Sequence, residues 1–434
     1  MRLLEFQIKN YRSIIDTGII KLSVHDNVTV LAGQNESGKS SILQALNDFQ
    51  IGEFAADSLP FTTESKEIIQ SVSCKYKIER INNFYDSLSE LLKKDTNPSI
   101  TSETKILDEK KIKQIEEFTL TQTKDNGIIQ FTIDNNTLSI LKSSILDKPI
   151  DQSNSNEISQ TSIEKEKYIL LDEKSIKEVV KRFINIIPKF IYFDDFCELL
   201  PNNIYISALK EKIISTKGYR AVRNLENILS IDFVSKNEEV DSVRRSKEDS
   251  ENEDLSIDFQ KDWGQRIHGE NTVLINYDFQ KRSGTGENGS YINFYVSTKP
   301  GQRLPPQQRS KGLIWFLSLW LELKAQNTKT NDLILLLDEP DQHLHVKAQK
   351  DILKLINKLS ISKNLGKSKG NGDQIIYATH SPYLIEVENL NRIKLVFNSE
   401  DQGTKIEEIT TSKIDTVNKR DALQPVSASV TNFL

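Results

Sequence analysis

Four short runs of the sequence hold side chains whose types and spacing suit work on phosphate groups. The first is Gly33-Gln34-Asn35-Glu36-Ser37-Gly38-Lys39-Ser40, which follows the apolar run Val28-Thr29-Val30-Leu31-Ala32. Two glycines separated by four residues and followed by Lys and Ser are the spacing of a phosphate-binding loop. Glycine is needed where the chain must turn tightly enough to aim successive backbone N–H groups at phosphate oxygens, a path that a Cβ obstructs. Lys39 would then reach β- and γ-phosphates, and the Ser40 hydroxyl would take a magnesium ion. Ser41 to Phe49 read as a helix, whose partial positive N-terminus faces the same phosphates. A glycine-rich turn that holds no nucleotide is the alternative for this motif taken alone.

In the second run, Leu333-Ile334-Leu335-Leu336-Leu337 leads directly into Asp338-Glu339-Pro340. An uninterrupted apolar strand suits a parallel sheet covered on both faces, and α/β proteins place ligands at the C-terminal edge of such strands. Asp338 would hold magnesium through water, and Glu339 would orient or deprotonate the attacking water. Two adjacent carboxylates in a dry site need a cation or a proton to offset them. An acidic strand cap is the bland reading. His343 and His345 follow, but two histidines at that spacing without a third ligand make a weak metal site, and they read as packing and interface residues.

The third run, Gln374-Ile375-Ile376-Tyr377-Ala378, ends in Thr379-His380-Ser381-Pro382, which puts His380 at a strand tip where it can donate a hydrogen bond to a γ-phosphate. The fourth is Gln308-Arg309-Ser310-Lys311-Gly312 ahead of the apolar stretch Leu313 to Leu321. Ser310 or Gly312 at the start of a buried helix offers an anion site, because the first N–H groups lack partners within the helix. Lys39 already marks one phosphate loop in each protomer, so the economical reading is that this helix caps a γ-phosphate held by a partner subunit. An ordinary core helix with a Ser cap is the alternative.

The elements that must position these runs lie at the two ends of the chain. The first nine residues alternate polar and apolar as a strand rather than as a secretory signal. The stretch between about 50 and 270 is richer in Lys, Glu, Ser and Asn. Within it Ser71 to Glu79 alternates as a half-buried strand, and Ile128 to Ile133 reads as a strand running into a turn. Polar runs at Asp151 to Thr161, Asp241 to Asp254 and Ser362 to Asp373 read as exposed loops or tips, and residues 204–269 suggest projecting helices with the charge run Arg244 to Asp249 near a bend. A chain of 434 residues exceeds what one core usually reaches, about 250–300, so two or three units are expected. The net charge of -5 argues against a protein devoted to coating nucleic acid, while leaving room for a local basic patch. The richest apolar run is broken by Ser318 and Glu322, so no membrane span is expected. Two distant cysteines, Cys74 and Cys197, fit reducing cytosol.

The order of these motifs resembles ABC-type ATPase heads, and more narrowly the ATPase part of the OLD (overcoming lysogenization defect) family and its RecF- and SMC-like relatives. The residues that carry it are Ile8 to Ile14, the Lys39 loop, Arg309 to Phe316, Asp338-Glu339-Pro340 with His343-Leu344-His345, and Thr379 to Pro382. The resemblance implies an α/β fold, a P-loop NTPase head with a mixed sheet and flanking helices, carrying an inserted mixed or helical subdomain. The expected divisions are 1–60 and 270–425 for the head, 61–203 for an insert continuing it, 204–269 for a helical arm and 426–434 for a tail. It also implies ATP and Mg²⁺ as ligands, with Glu339, Lys39 and His380 catalytic and Ser40 and Asp338 at the metal. Asn10, Tyr11 and Arg12 would lie near the nucleotide, together with Gly33, Asn35, Glu36, Ser37, Gly38, Ser40 and Ser41. Ser310, Lys311 and Gly312 would form the signature loop across a dimer, and Gln50 is the candidate Q-loop glutamine. Asp341 and Val346 stand where relatives usually carry Gly and Pro. OLD-like proteins usually continue into a TOPRIM nuclease domain, whose acidic set does not follow here. The expectation is a cytoplasmic, homo-oligomeric switch that controls a separate nuclease or toxin subunit, in anti-phage defence, with no membrane partner. The alternatives are a DNA-structure ATPase of RecF or SMC type, a truncated OLD nuclease, or a transporter's nucleotide subunit, which the large insert and the signature disfavour.

Overall fold

The computed structural model describes residues 1–23, 26–60, 68–93, 106–146, 180, 183–193, 199–264, 273–282, 289–298, 302–327, 333–342, 344–361, 372–399 and 403–409. The chain divides into two compact units: Met1–Val24, Glu36–Phe190 and Val396–Glu407 form one, and His25–Asn35, Ile191–Leu395 and Glu408–Leu434 the other. From the start of the chain come β1 (Arg2–Tyr11), β2 (Ile14–Asp16), β3 (Ile20–Lys21), β4 (Val28–Ala32), α1 (Lys39–Ile51), β5 (Gln70–Lys77), α2 (Ile81–Lys93), β6 (Ile106–Leu107), α3 (Glu109–Ile112), β7 (Glu117–Asp125), β8 (Ile128–Ile133), α4 (Asn135–Ser144) and β9 (Ile145–Leu146). Then follow β10 (Lys189–Phe193), β11 (Asn203–Tyr205), α5 (Ile206–Lys210), α6 (Tyr219–Leu229), α7 (Phe233–Asn237), α8 (Asp241–Asp262), β12 (Leu274–Arg282), β13 (Gly289–Ser297), α9 (Lys311–Asn327), β14 (Leu333–Asp338), α10 (Val346–Ile361), β15 (Gln374–Thr379), β16 (Ile393–Ser399) and β17 (Gly403–Glu408).

The first unit is built on antiparallel pairing. β1 pairs with β2, β3 and β5, and β7 joins β5 to β8. The strict alternation of β5 turns Gln70, Val72, Cys74 and Tyr76 to the buried face, as its sequence pattern requires. Phe118 and Phe183 sit 5.5 Å apart, and Phe84 contacts both, so an aromatic cluster fills this core. Phe49 of α1 packs edge-on against Phe131 and Phe190, which fixes the helix on the sheet.

The second unit holds β14, β15, β4 and β16 side by side, all parallel. β4, β14 and β15 are buried at every residue, which is the burial that helices on both faces impose. A separate sheet in the order β11-β13-β12 carries α8 on the β12 edge. The helices of residues 204–264 contribute Val222, Leu225, Phe233, Leu255 and Phe259 to the same core as Trp320 and Leu335.

One expectation is overturned here. The polar run Asp241 to Asp254 is not a loop but the body of α8, and its charge run is continuous helix. Its buried stripe is polar: Arg244, Glu248, Asn252 and Ser256 recur every fourth residue, so hydropathy alone hides the helix. The runs 151–161 and 362–371, with His343 and Cys197, lie outside the described residues. No helix among the described residues is long and apolar enough to cross a membrane.

Candidate functional site

The register of the parallel strands decides where the chemistry-bearing residues fall. Asp338 pairs with Ala378, and Thr379 pairs with Ala32, so three adjacent strands end at one edge. At that edge β14 delivers Asp338 and Glu339, β15 delivers Thr379 and His380, and β4 delivers Gly33. Within one unit the structure thus brings the second and third runs to the edge where the first run begins at Gly33, while the rest of that run, from Glu36 onward, belongs to the other unit.

Glu339 has a left-handed backbone, φ 46°, and its N–H donates to the Ala378 carbonyl at 3.0 Å. The chain therefore turns off the sheet immediately after Asp338, lifting the Glu339 carboxylate clear of the core. Its Oε1 lies 3.3 Å from His380 Nδ1, and both side chains are partly exposed. Asp338 is only 8% exposed and accepts a hydrogen bond from the Tyr192 hydroxyl at 3.0 Å. Two carboxylates of unequal burial, one fixed and one accessible, suit the two roles of metal holding and water activation.

Beyond the acidic pair, Asp341 stands where a Gly was expected, and it anchors the next turn. Thr379 donates to Asp341 Oδ1 at 2.7 Å and accepts from the Ser381 amide, while Ser381 donates to Gln349 of α10 at 2.7 Å. Burial pushes the Asp341 carboxyl up, against the Thr379 hydrogen bond and the nearby His380, which pull it down. This chain of bonds ties the acidic turn to the His380 turn. Tyr192 is not visible in the sequence, and Asp341 stands out there only as a departure from the expected Gly, because a partner across a sheet leaves no local spacing signal. His345 accepts from the Gln349 amide and so starts α10.

In the first unit, the loop from Glu36 onward meets the start of α1. Glu36 is left-handed at φ 62°, and Gly38 at φ 97° caps the helix. A Cβ on Gly38 would overlap the Thr404 side chain, so the position is closed to other residues twice over, by conformation and by space. Asn35 and Glu36 are exposed on the rim, Ser40 and Ser41 are half-buried, and Lys39 is 4% exposed. Ser37 Oγ is buried with no hydrogen-bond partner among the described residues, an orphaned donor within the loop that phosphate oxygens would satisfy.

The N-terminal trio separates in role. Asn10 and Arg12 have left-handed backbones, φ 54° and 49°. Arg12 bonds Gln44 of α1 and pairs with Asp57 at 2.8 Å, while Asn10 donates to the Ile69 carbonyl. Tyr11, expected near the nucleotide, is 0% exposed and donates to Asp48 of α1 at 2.8 Å. Burial and the Asp48 charge hold its phenol far above its ordinary pKa, so it remains a donor. Its geometry positions α1 rather than touching a ligand. Gln50, the candidate Q-loop residue, lies eleven residues along α1 from Lys39, roughly 16 Å at the helical rise, and its side chain accepts from the Phe190 amide.

At the start of α9, Ser310 is exposed and caps the helix, accepting from the Leu313 amide at 3.4 Å. Lys311 is exposed, Gly312 half-buried, and Arg309 Nε is buried without a partner among the described residues. From Leu313 to Leu323 every residue is buried, so the core fixes the helix while its N-terminus stays accessible.

A family model described as AAA ATPase domain matches residues 1–385. The chain belongs to this family. A 105-residue stretch of this ATPase-domain protein is 35% identical to the uncharacterized protein MJECL43 of Methanocaldococcus jannaschii, and it spans about a quarter of that relative, 25%, and 23% of this chain. Among solved structures, the Smc head bound to the C-winged helix domain of ScpA superposes with a TM-score of 0.51 at 13% identity, covering 95% of this ATPase and 99% of that chain. The Smc head with an extended coiled coil from Pyrococcus furiosus, bound to the C-terminal domain of ScpA, gives 0.47 at 13% identity over 95% and 97%. The first likeness establishes the fold of this ATPase as that of an SMC-head-like P-loop ATPase, α/β with a mixed sheet and flanking helices.

Proposed function

We propose that the chain binds and hydrolyses Mg-ATP and uses the nucleotide to close a dimer of itself. The observation that carries this is the shared edge of β4, β15 and β14, where the phosphate loop begins, His380 sits and the acidic pair projects. The donor set fits the ligands. The loop offers an orphaned Ser37 hydroxyl and a buried Lys39, which suit phosphate oxygens. Among the described residues no three or more of His, Cys, Asp and Glu gather as a metal site, and a magnesium ion held by Ser40, Asp338, phosphates and water needs none. Magnesium supplies charge neutralisation on the phosphates when bound.

The residues then divide the work. Lys39 and the loop amides hold the triphosphate, and Asn35 and Glu36 line its rim. Glu339 takes the proton of the attacking water, and His380, already within reach of Glu339, donates to the γ-phosphate as it departs. Ser310, Lys311 and Gly312 at the open end of α9 cap the γ-phosphate of the partner subunit. The motif set supports an OLD-type head, and in this reading dimer closure controls a nuclease or toxin subunit in anti-phage defence. The Smc head of similar fold is bound to the C-winged helix domain of ScpA, which supports a small protein partner in the second reading, a DNA-structure ATPase of RecF or SMC type.

Purified variants test the proposal. Lys39→Ala abolishes ATP binding, whereas Glu339→Gln keeps binding and loses turnover by about 100-fold or more. Unchanged turnover in Glu339→Gln removes the assignment.

A further inference from the structure

We infer that Tyr192 is a positioning residue for the metal-binding carboxylate. The inference rests on the reading of Asp338 as a magnesium ligand. Tyr192 lies on β10, and its hydroxyl is 3.0 Å from Asp338 Oδ2. An ionised carboxylate only accepts, so the phenol is the donor. The terminal torsion of an aspartate is soft, with no sharp preference of its own. Asp338 sits at the last position of a strand buried along its whole length, which fixes its Cα. A donor held on one oxygen narrows the range of planes open to the carboxyl and so favours one direction for the other oxygen. The bond is charge-assisted, which gives it the strength to hold the orientation against the like charge of Glu339 next door.

The hydroxyl is separable from the packing of its strand. Phe193 anchors β10 edge-on against Trp315 at 5.6 Å, and Phe193 is buried, whereas Tyr192 is half-buried. Replacing the tyrosine by phenylalanine removes the donor and leaves the ring. Outer partners of metal ligands typically matter by 10–100-fold in metal affinity.

The test reads metal dependence rather than turnover. A fluorescent ATP analogue is titrated with Mg²⁺ against wild type, Tyr192→Phe and Asp338→Asn, with a parallel series in EDTA. The expected result is that Tyr192→Phe needs about tenfold more Mg²⁺ to reach half of the metal-dependent gain in affinity, with binding in EDTA unchanged. A wild-type Mg²⁺ requirement in Tyr192→Phe overturns the inference. A wild-type requirement in Asp338→Asn overturns the underlying reading of Asp338 instead. Should Tyr192→Phe fold poorly, fluorotyrosine placed at 192 keeps the hydroxyl and the fold. Its ¹⁹F resonance should then move on adding Mg²⁺ to the ATP complex, and a resonance indifferent to Mg²⁺ counts against the assignment.

Discussion

Single residues in this chain are legible to different depths, and the reason is distance along the sequence. Gly38, Lys39, Ser40, Asp338, Glu339 and His380 stand out in the sequence because each lies in a contiguous loop or strand-end motif. Tyr192 and Asp341 do not stand out by spacing, since their partners Asp338 and Thr379 come from other strands. Tyr11 is less legible for a related reason: its motif marks where the chain passes, whereas its burial against Asp48 decides what it touches. Gly38 gives the sharpest prediction at this scale. Gly38→Ala introduces about 1–3 kcal/mol of backbone strain plus the overlap with Thr404, and it lowers both the melting temperature and the affinity for ATP. Adding Thr404→Ala relieves the overlap but not the strain, so thermal unfolding should show partial recovery. Full recovery would mean that the left-handed backbone carries no cost.

Among the elements, α8 shows what patterning cannot reveal. Asn252, Ser256 and Gln260 project every fourth residue, a spacing of about 6 Å on a helix, and they bond Tyr277 and Ile275 of β12 and Val273 just before it, every second residue along an extended chain at about 6.6 Å. The helix thereby closes the open edge of its sheet with side chains, which is why its inward stripe is polar. Asn252→Leu leaves the Tyr277 N–H and carbonyl buried without these partners, at a cost of about 1–3 kcal/mol. Hydrogen exchange at Tyr277 should accelerate, and unaltered exchange would refute the edge-closing role. The far end of α8 joins two other helices: Asp262 accepts from Trp320 of α9 at 3.0 Å and from Lys358 of α10 at 2.7 Å. Burial raises the Asp262 carboxyl, but these bonds and the Lys324 and Lys358 charges outweigh it, and the net shift is downward. A depressed folded pKa contributes stability above the ordinary carboxylate value, lost as pH falls through the folded one. Asp262→Asn should therefore cost stability at neutral pH and flatten the acid side of the denaturation profile, as followed by urea midpoints. Equal losses at every pH would contradict the ionic account.

For the whole molecule, the α/β class and the strand-to-loop placements were readable because three largely apolar strands, buried along their whole length, each end in a polar motif. The antiparallel strands of the first unit were only partly readable, β5 and β8 by alternation, while the aromatic cluster of Phe84, Phe118 and Phe183 depends on contacts far apart in sequence. The proposed dimer makes a prediction at this scale. Light scattering should show Glu339→Gln doubling its mass with Mg-ATP, and Lys39→Ala remaining unchanged. The central claim is that the Lys39 loop and the Asp338-Glu339 turn serve one metal-bound triphosphate. Substituting Fe²⁺ for Mg²⁺ in the ATP complex and adding ascorbate with peroxide cleaves the backbone beside the metal. The account predicts ATP-dependent cuts near both Ser40 and Asp338, mapped by mass spectrometry. Cuts at only one of these segments, or at neither, would contradict it.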